Sequence, residues 1–165
     1  MTDHGAPALD QLLDYRGRLL VRLEQQPAEV ADVLAAIPER DWHRRRNLAG
    51  RTVHRVVAHV RDMEVMAFLP YVRRILSEEQ PLLETIAGQD WSDERYRPDE
   101  LLTHILAEWS QARAEVVDLL PPATSEKWTR FGFHPLAGRR ALQWWAERIY
   151  SHAQAHLVEL RANHP

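Results

Sequence analysis

The sequence contains no cysteine. This absence excludes disulfide bonds, thiolate metal sites and a cysteine nucleophile together. The sequence also lacks the run of about 18 apolar residues that a membrane span needs. Residues 1–5 do not begin the basic-then-apolar pattern of a signal peptide. We therefore expect a cytoplasmic protein with no membrane partner.

Several motifs that mark enzyme classes are missing too. There is no Gly-rich phosphate loop, no Gly-x-Ser-x-Gly turn, and no serine with a nearby His and Asp in a recognisable pattern. The formal net charge of −3 argues against a nucleic-acid surface. Three arginines at 44–46 form no extended patch, so a solvated loop explains them better. We predict no nucleic-acid partner and rank binding through this run last among the functions considered.

Amphipathic helical spacing is what the sequence does contain. Apolar residues recur every three or four positions in four long segments, and no segment alternates as a strand does. The spacing predicts helices over about 8–25, over 52–77 with a kink at Pro70, over 98–119 and over 138–162. A further apolar face after Pro27 is either a separate short helix or the first helix resumed after a kink. The connections at 38–51, 80–97 and 121–138 are predicted loops.

These helices predict an all-α fold in one domain over residues 1–165. A chain of this length buries a sizeable core without disulfides or metal. We expect a four-helix bundle with a short extra N-terminal helical segment, the one that follows Pro27. The 121–138 loop carries Trp128 and two phenylalanines, and is predicted to pack across one end of the bundle.

Three histidines fall on the apolar faces of two predicted helices. His152 and His156 lie about 40° apart around the last helix. Trp145 and Ile149 share their face, so both imidazoles should point inward. His59 lies on the apolar stripe of the second long helix. A single core histidine is usually a hydrogen-bonded structural residue, but three that face the same interior favour a shared ligand.

One divalent cation would satisfy three buried neutral imidazoles at once. Three protein ligands leave a coordination position for water or substrate, which is typical of a catalytic site. A sulfur-free, His-rich donor set suits Zn²⁺, Ni²⁺ or Fe²⁺ better than Ca²⁺ or Mg²⁺.

Two carboxylates are candidate catalytic groups beside these histidines. Asp62 follows His59 by three residues and is close enough in angle to orient it or to accept a proton. Glu159 lies about 20° from His152 around the helix axis, which makes it a candidate further ligand or base. A plain helix-surface role explains each carboxylate equally well. The other six histidines lie in loops, near the ends of the chain or off the apolar stripes, and are poorer candidates.

Two blocks of sequence resemble a known family. Residues 52–62 are similar to a helix in which a motif His is followed closely by Asp, and residues 134–157 end in a similar His-x-x-x-His helix. In both, the chain resembles the DinB/YfiT-like family of metal-dependent enzymes, over nearly its whole length. The resemblance implies an up-down-down-up bundle, a divalent metal held by His59, His152 and His156, and a homodimer.

The resemblance fixes the site better than the reaction. Members of the family include metal-dependent hydrolases, and transferases or isomerases that use a low-molecular-weight thiol. We expect a metal-dependent hydrolase of a small-molecule substrate, in which the metal lowers the pKa of a bound water. A thiol-dependent S-transferase or isomerase on the same site is the alternative. A non-catalytic bundle that binds a ligand or a partner is the third possibility.

Two positions depart from the family pattern. Arg51 stands where members often have Trp, and Arg140 replaces a small hydroxyl residue. Both departures are expected to affect the starts of helices and to leave the metal ligands intact.

Overall fold

The structure is a computed structural model that describes residues 5–44, 46–47, 49–86 and 88–162. Its α-helices are α1 (Gly5–Ala35), α2 (Val53–Met63), α3 (Leu69–Ser77), α4 (Gly88–Arg95), α5 (Leu102–Leu119) and α6 (Leu142–Ala162). A π-helical turn, Glu64–Phe68, joins α2 to α3, and 3₁₀ turns occupy Glu39–Asp41 and Glu126–Thr129. Strands β1 (Phe131–His134) and β2 (Gly138–Ala141) form an antiparallel hairpin.

The first helix runs unbroken through Pro27, so the expected extra segment is the last part of α1. Proline has no N–H to donate to the carbonyl four residues earlier, which is that of Leu23. Arg113 Nη1 donates to this carbonyl at 3.1 Å instead. Val30 and Leu34, beyond the proline, are buried in the core. The helix continues across the proline because Arg113 bonds to the Leu23 carbonyl and because the turn after the proline is buried.

Thr52 caps α2 as predicted, and its hydroxyl accepts from the Arg55 N–H at 3.3 Å.

The kink expected at Pro70 takes the form of the π-helical turn just before it. Pro70 cannot donate to the carbonyl four residues back, and its ring crowds that carbonyl. The Leu69 N–H bonds to the Glu64 carbonyl, five residues back. The helix thus widens by one residue ahead of the proline and then continues as α3.

Two predicted boundaries around α4 and α5 were wrong. The segment predicted as a loop over 80–97 contains α4, which has no apolar stripe that the sequence could reveal. Helix α5 begins at Leu102 and not at Pro98. The Glu100 carboxylate accepts from Arg61 at 2.9 Å, and the Glu100 carbonyl bonds to His54 at 2.7 Å. These bonds hold the segment before α5 against α2.

The segment after α5 is more regular than the predicted loop. It contains β1 and β2, and α6 begins at Leu142 rather than at Gly138. Gly138 has φ of +72°, a left-handed conformation that favours glycine at this turn. Trp128 is fully buried in the core, as expected of this segment, whereas Phe133 is 41% exposed.

The contacts between helices establish the up-down-down-up order. Helices α2 and α3 run parallel to α5, because residue numbers rise together in the contacts between them. These contacts are His54–Glu100, just before α5, Arg61–Glu108 and Arg73–Glu115. Contacts of α1 with α6 also advance together, as in Arg16–Gln143 and Gln26–Tyr150. Contacts of α2–α3 with α6 run oppositely, as in His59–His152 and Tyr71–Trp145. The predicted four-helix bundle and its helix order are confirmed.

A polar layer crosses the bundle between two apolar clusters. One cluster includes Leu23, Phe68 and Ile149, and the other includes Val30, Val60 and Ala153. At the level between them each long helix carries a polar side chain: Gln26, Glu64, Arg113 and His152.

None of the helices over the described residues has both the length and the apolar content that a bilayer crossing needs.

Candidate metal centre

His59, His152 and His156 meet where α2 faces α6. One nitrogen from each ring lies within 4.8 Å of those of the other two, and the Nε2 atoms of His59 and His152 are 3.2 Å apart. In a tetrahedral site with metal–nitrogen bonds of about 2.0–2.1 Å, two ligand nitrogens lie about 3.3–3.4 Å apart. The donor set therefore fits a divalent transition metal, and the distance between His59 and His152 is close to that of two ligands of one ion.

Burial keeps the three rings neutral at pH 7. It lowers the pKa of His59 to about 4, with smaller contributions from His156 and Arg51. It lowers the pKa of His152 to about 2, with help from the other two rings. The pKa of His156 is also lowered by burial, although Glu159 opposes the shift. Neutral imidazoles have the free lone pair that a metal requires.

Glu159 stands behind His156. Its carboxylate accepts from His156 Nδ1 at 2.6 Å, so Nε2 is the nitrogen of that ring that this bond leaves available. Arg51 Nη2 donates to both carboxylate oxygens at 2.9 and 3.0 Å, and the Asn47 amide donates to one of them. A carboxylate placed in this way fixes the tautomer and orientation of a ligating histidine. Its position suits a residue that orients a ligand.

Asp62 lies in a different network. It is 2% exposed, and its carboxylate accepts from Arg61 Nε at 2.7 Å. Burial raises the pKa of Asp62, while the charge of Arg61 opposes the shift. Arg61 also bonds to Glu100 and Glu108. The structure thus places Asp62 where α2 meets α5, in the ion-pair network of Arg61, and Asp62 does not line the cleft described next.

The three histidines open onto a cleft of about 610 Å³. Its charged walls include Arg51, Arg55, Arg148 and Asp93, and Arg55 forms an ion pair with Asp93. A second, more apolar pocket of about 450 Å³ adjoins the cleft. The residues that line both are Met63, Ile86, Leu136 and Arg148.

Sequence reasoning missed several residues of the cleft and of the contacts around Glu159. Asn47 and Arg51 come from a segment predicted as a polar connection, and both donate to Glu159, so Arg51 does more than affect the start of a helix. Asp93 belongs to α4, for which the sequence gives no amphipathic signal. Arg148 had a signal, since it precedes His152 by one helical turn.

The remaining described histidines lie outside the cluster. His54 is buried and bonds to the Tyr96 hydroxyl at 3.0 Å and to the Glu100 carbonyl. His134, at the end of β1, packs against Tyr71 and Trp145. Among the residues that the structure describes, the cluster is limited to the three predicted histidines.

Comparisons with known proteins agree with the fold. Residues 22–160 match the DinB superfamily. A solved structure is also similar, "YfiT from Bacillus subtilis", described as a probable metal-dependent hydrolase with an unusual four-helix bundle topology. The two sequences are 21% identical, the TM-score is 0.74, and the match covers 88% of this chain and 85% of that one. No curated protein matches the sequence. With a family match over most of its length, the chain belongs to the DinB superfamily.

Proposed function

We propose that the protein is a metal-dependent hydrolase of a small-molecule substrate. In this proposal, His59, His152 and His156 hold Zn²⁺, Ni²⁺ or Fe²⁺. The observation that carries the proposal is the meeting of three neutral imidazoles within 4.8 Å at the wall of an open cleft. The description of YfiT as a probable metal-dependent hydrolase supports the same class.

A divalent metal bound there would supply Lewis acidity that lowers the pKa of a water molecule. The residues of the chain prepare the site for it. Glu159 accepts a hydrogen bond from the Nδ1–H of His156, which keeps the proton on Nδ1 and leaves the Nε2 lone pair free. Arg51 and Asn47 hold Glu159 in place. Asp93 lines the cleft and carries a carboxylate, so we assign it the acceptance of a proton from water.

Hydrolysis of a panel of aryl esters and amides tests the proposal. We expect a rate that disappears on chelation and returns when Zn²⁺, Ni²⁺ or Fe²⁺ is added. His59→Ala should abolish the rate. His104→Ala, which changes an exposed histidine of α5, should not alter it. Hydrolysis that survives both chelation and His59→Ala would contradict the assignment.

A thiol-dependent S-transferase or isomerase is the second candidate. The apolar pocket next to the cleft gives room for a cosubstrate such as a low-molecular-weight thiol. A rate that requires added thiol would favour this candidate over the hydrolase. A non-catalytic bundle is the third possibility. It would show neither hydrolysis nor thiol transfer, and the rings of His59 and His152 would bond to each other instead of to a metal.

We also propose that the protein is a cytoplasmic homodimer, as the family resemblance implies. Sedimentation equilibrium of the untagged chain tests the dimer. A mass near twice 19.2 kDa would support it, and a mass near 19.2 kDa at micromolar concentration would contradict it.

A further inference from the structure

The three arginines that line the cleft differ in how their charges are balanced. The guanidinium of Arg51 is paired with Glu159 at 2.9 Å, and that of Arg55 is paired with Asp93. The guanidinium of Arg148 has neither a hydrogen-bond partner nor an ion-pair partner within the described ranges. Among the described residues that line the cleft, pairing therefore leaves one unbalanced positive side chain, that of Arg148.

Arg148 stands at the junction of the cleft and the apolar pocket. It lines both cavities, and it precedes His152 by one turn of α6. Its charge contributes to lowering the pKa of His152 and of His156, as expected of a cation near both rings. A ligand that extends from the histidines into the apolar pocket must therefore pass this guanidinium.

The apolar pocket suits a hydrocarbon group. Its walls include the aromatic side chains of Phe68, Tyr71, Trp144 and Trp145. Its volume of about 450 Å³ is within the usual range for small-molecule sites, about 300–1,000 Å³. Aryl and branched alkyl groups gain most from burial against such walls.

From this arrangement we propose that the substrate is an amphipathic monocarboxylate. Its carboxylate contacts Arg148, its aryl or alkyl body fills the apolar pocket, and its scissile ester or amide bond lies at the three histidines. In hydrolysis the hydroxyl of water joins the carbonyl carbon, the carbon–oxygen or carbon–nitrogen bond breaks, and the leaving oxygen or nitrogen takes a proton. The position of the scissile bond rests on the proposed function, whereas the carboxylate contact does not.

A carboxylate fits Arg148 better than a phosphate does. The planar guanidinium presents two parallel N–H groups that match the two oxygens of a carboxylate. One unbalanced positive side chain is matched by one negative charge. A phosphate monoester carries about −1.5 to −2 at pH 7 and would leave charge uncompensated at this point.

Binding of a matched pair of probes tests this inference. The probes are 3-phenylpropionate and its neutral amide, 3-phenylpropanamide, titrated into the chelator-treated full chain at pH 7 by calorimetry. We expect the acid to bind about tenfold more tightly than the amide, as for a hydrogen bond to a charged group at a partly exposed site. Arg148→Ala should remove this preference without changing the affinity for the amide.

Two further variants keep the result interpretable. Arg148→Lys should retain part of the preference because the charge is kept but the paired N–H geometry is lost. Arg161→Ala removes an exposed arginine at the far end of α6 and should leave both affinities unchanged. An unchanged affinity for the amide in Arg148→Ala also shows that the pocket is intact.

Equal affinities for the acid and the amide in the unaltered protein would overturn the inference, and so would no detectable binding of the acid up to millimolar concentration. An acid affinity that survives Arg148→Ala would also overturn it.

Repeating the titrations with zinc-loaded protein separates the two proposals. If zinc fails to bind but the Arg148 preference persists, the hydrolase proposal fails and the carboxylate contact stands. If zinc binds but Arg148→Ala changes nothing, only the carboxylate contact fails.

Discussion

Two polar clusters lie at the middle level of the bundle, and they are built in opposite ways. In the first, Arg113 and Glu64 are each 1% exposed and form a closed ion pair at 2.6 Å. In the second, His59, His152 and His156 are neutral rings that open onto a cleft. The first cluster joins helices to one another, whereas the second lies between α2 and α6 and lines a cleft.

The closed cluster is almost fully satisfied by the protein itself. Arg113 uses four N–H donors, two to Glu64, one to Gln26 Oε1 and one to the Leu23 carbonyl. Gln26 in turn donates to the Tyr150 carbonyl at 2.9 Å. This network connects α1, the π-helical turn, α5 and α6. A ligand could add little to it.

Under the proposed function, the open cluster is organised to hold a metal ion. Glu159 fixes one ring from behind, and burial holds all three rings in the neutral form. One nitrogen of each ring lies within 4.8 Å of those of the other two. The comparison teaches that buried polar side chains at one level of a bundle can have two roles. They stabilise the fold when they bond to one another, and they can bind a ligand when they point together into an open cleft.

Breaking the closed cluster should have the largest effect. Arg113→Met leaves the Glu64 carboxylate buried without its partner, which we expect to lower the free energy of unfolding by about 3–5 kcal/mol. Urea titration followed by circular dichroism measures it, on chelator-treated protein. The control is Arg73→Met, which breaks an exposed pair with Glu115 and should cost no more than about 1 kcal/mol. Equal effects of the two variants would contradict the structural role of the buried pair.

Removing one ring of the open cluster should affect metal binding more than folding. We expect His152→Ala to weaken zinc binding more than 100-fold, because a ligand matters more than a residue that merely orients one. The stability of the chelated protein should fall less than in Arg113→Met. Competition with a chromogenic chelator measures the affinity, and His104→Ala is the control. Retention of zinc affinity in His152→Ala would show that this ring is not a ligand.

The carboxylate behind the cluster should have a smaller effect. Glu159→Gln keeps an acceptor for His156 but removes its charge, so we expect zinc affinity to fall about 10- to 100-fold. The same competition assay applies. Glu147→Gln, elsewhere on α6, should leave the affinity unchanged. A loss as severe as that in His152→Ala would indicate that Glu159 is itself a ligand.

The smallest predicted effect concerns pH and the buried His54. Burial lowers the pKa of His54, so the folded state prefers the neutral ring. Its contribution is therefore complete well above the unfolded pKa of about 6.5 and is lost as the pH falls below that value. Between pH 7.5 and 6.0 this loss is at most about 0.8 kcal/mol.

His54→Gln should accordingly make the stability of the chelated protein less dependent on pH. His43, Glu100 and Arg61 also influence the pKa of His54, and they are unchanged in this variant. Urea unfolding of both proteins at pH 7.5 and 6.0 gives the difference. An identical pH dependence in the two proteins would contradict the assignment.

The sequence was sufficient for the features that follow helical periodicity. The apolar spacing predicted the four long helices, and the phase of His59, His152 and His156 placed them on inward faces before any contact was known. These features are local, since each depends on residues three or four positions apart on one helix.

The sequence was insufficient where distant segments determine the outcome. The Pro27 turn stays helical because Arg113, in another helix, donates to the freed carbonyl. Asp62 and Glu159 were equivalent from helical phase alone, and only their partners separate them, Arg61 for one and His156 for the other. Helix α4 and the β1–β2 hairpin lack an amphipathic pattern from which the sequence could have predicted them.

The most direct test of the central claim is the metal content of the untagged protein, measured by mass spectrometry beside His59→Ala and His152→Ala. The proposed function predicts about one Zn, Ni or Fe per chain, lost in both variants although the rings come from two helices 93 residues apart in sequence. Absence of metal in the unaltered protein, with no thermal shift on adding any of the three ions, would contradict the claim.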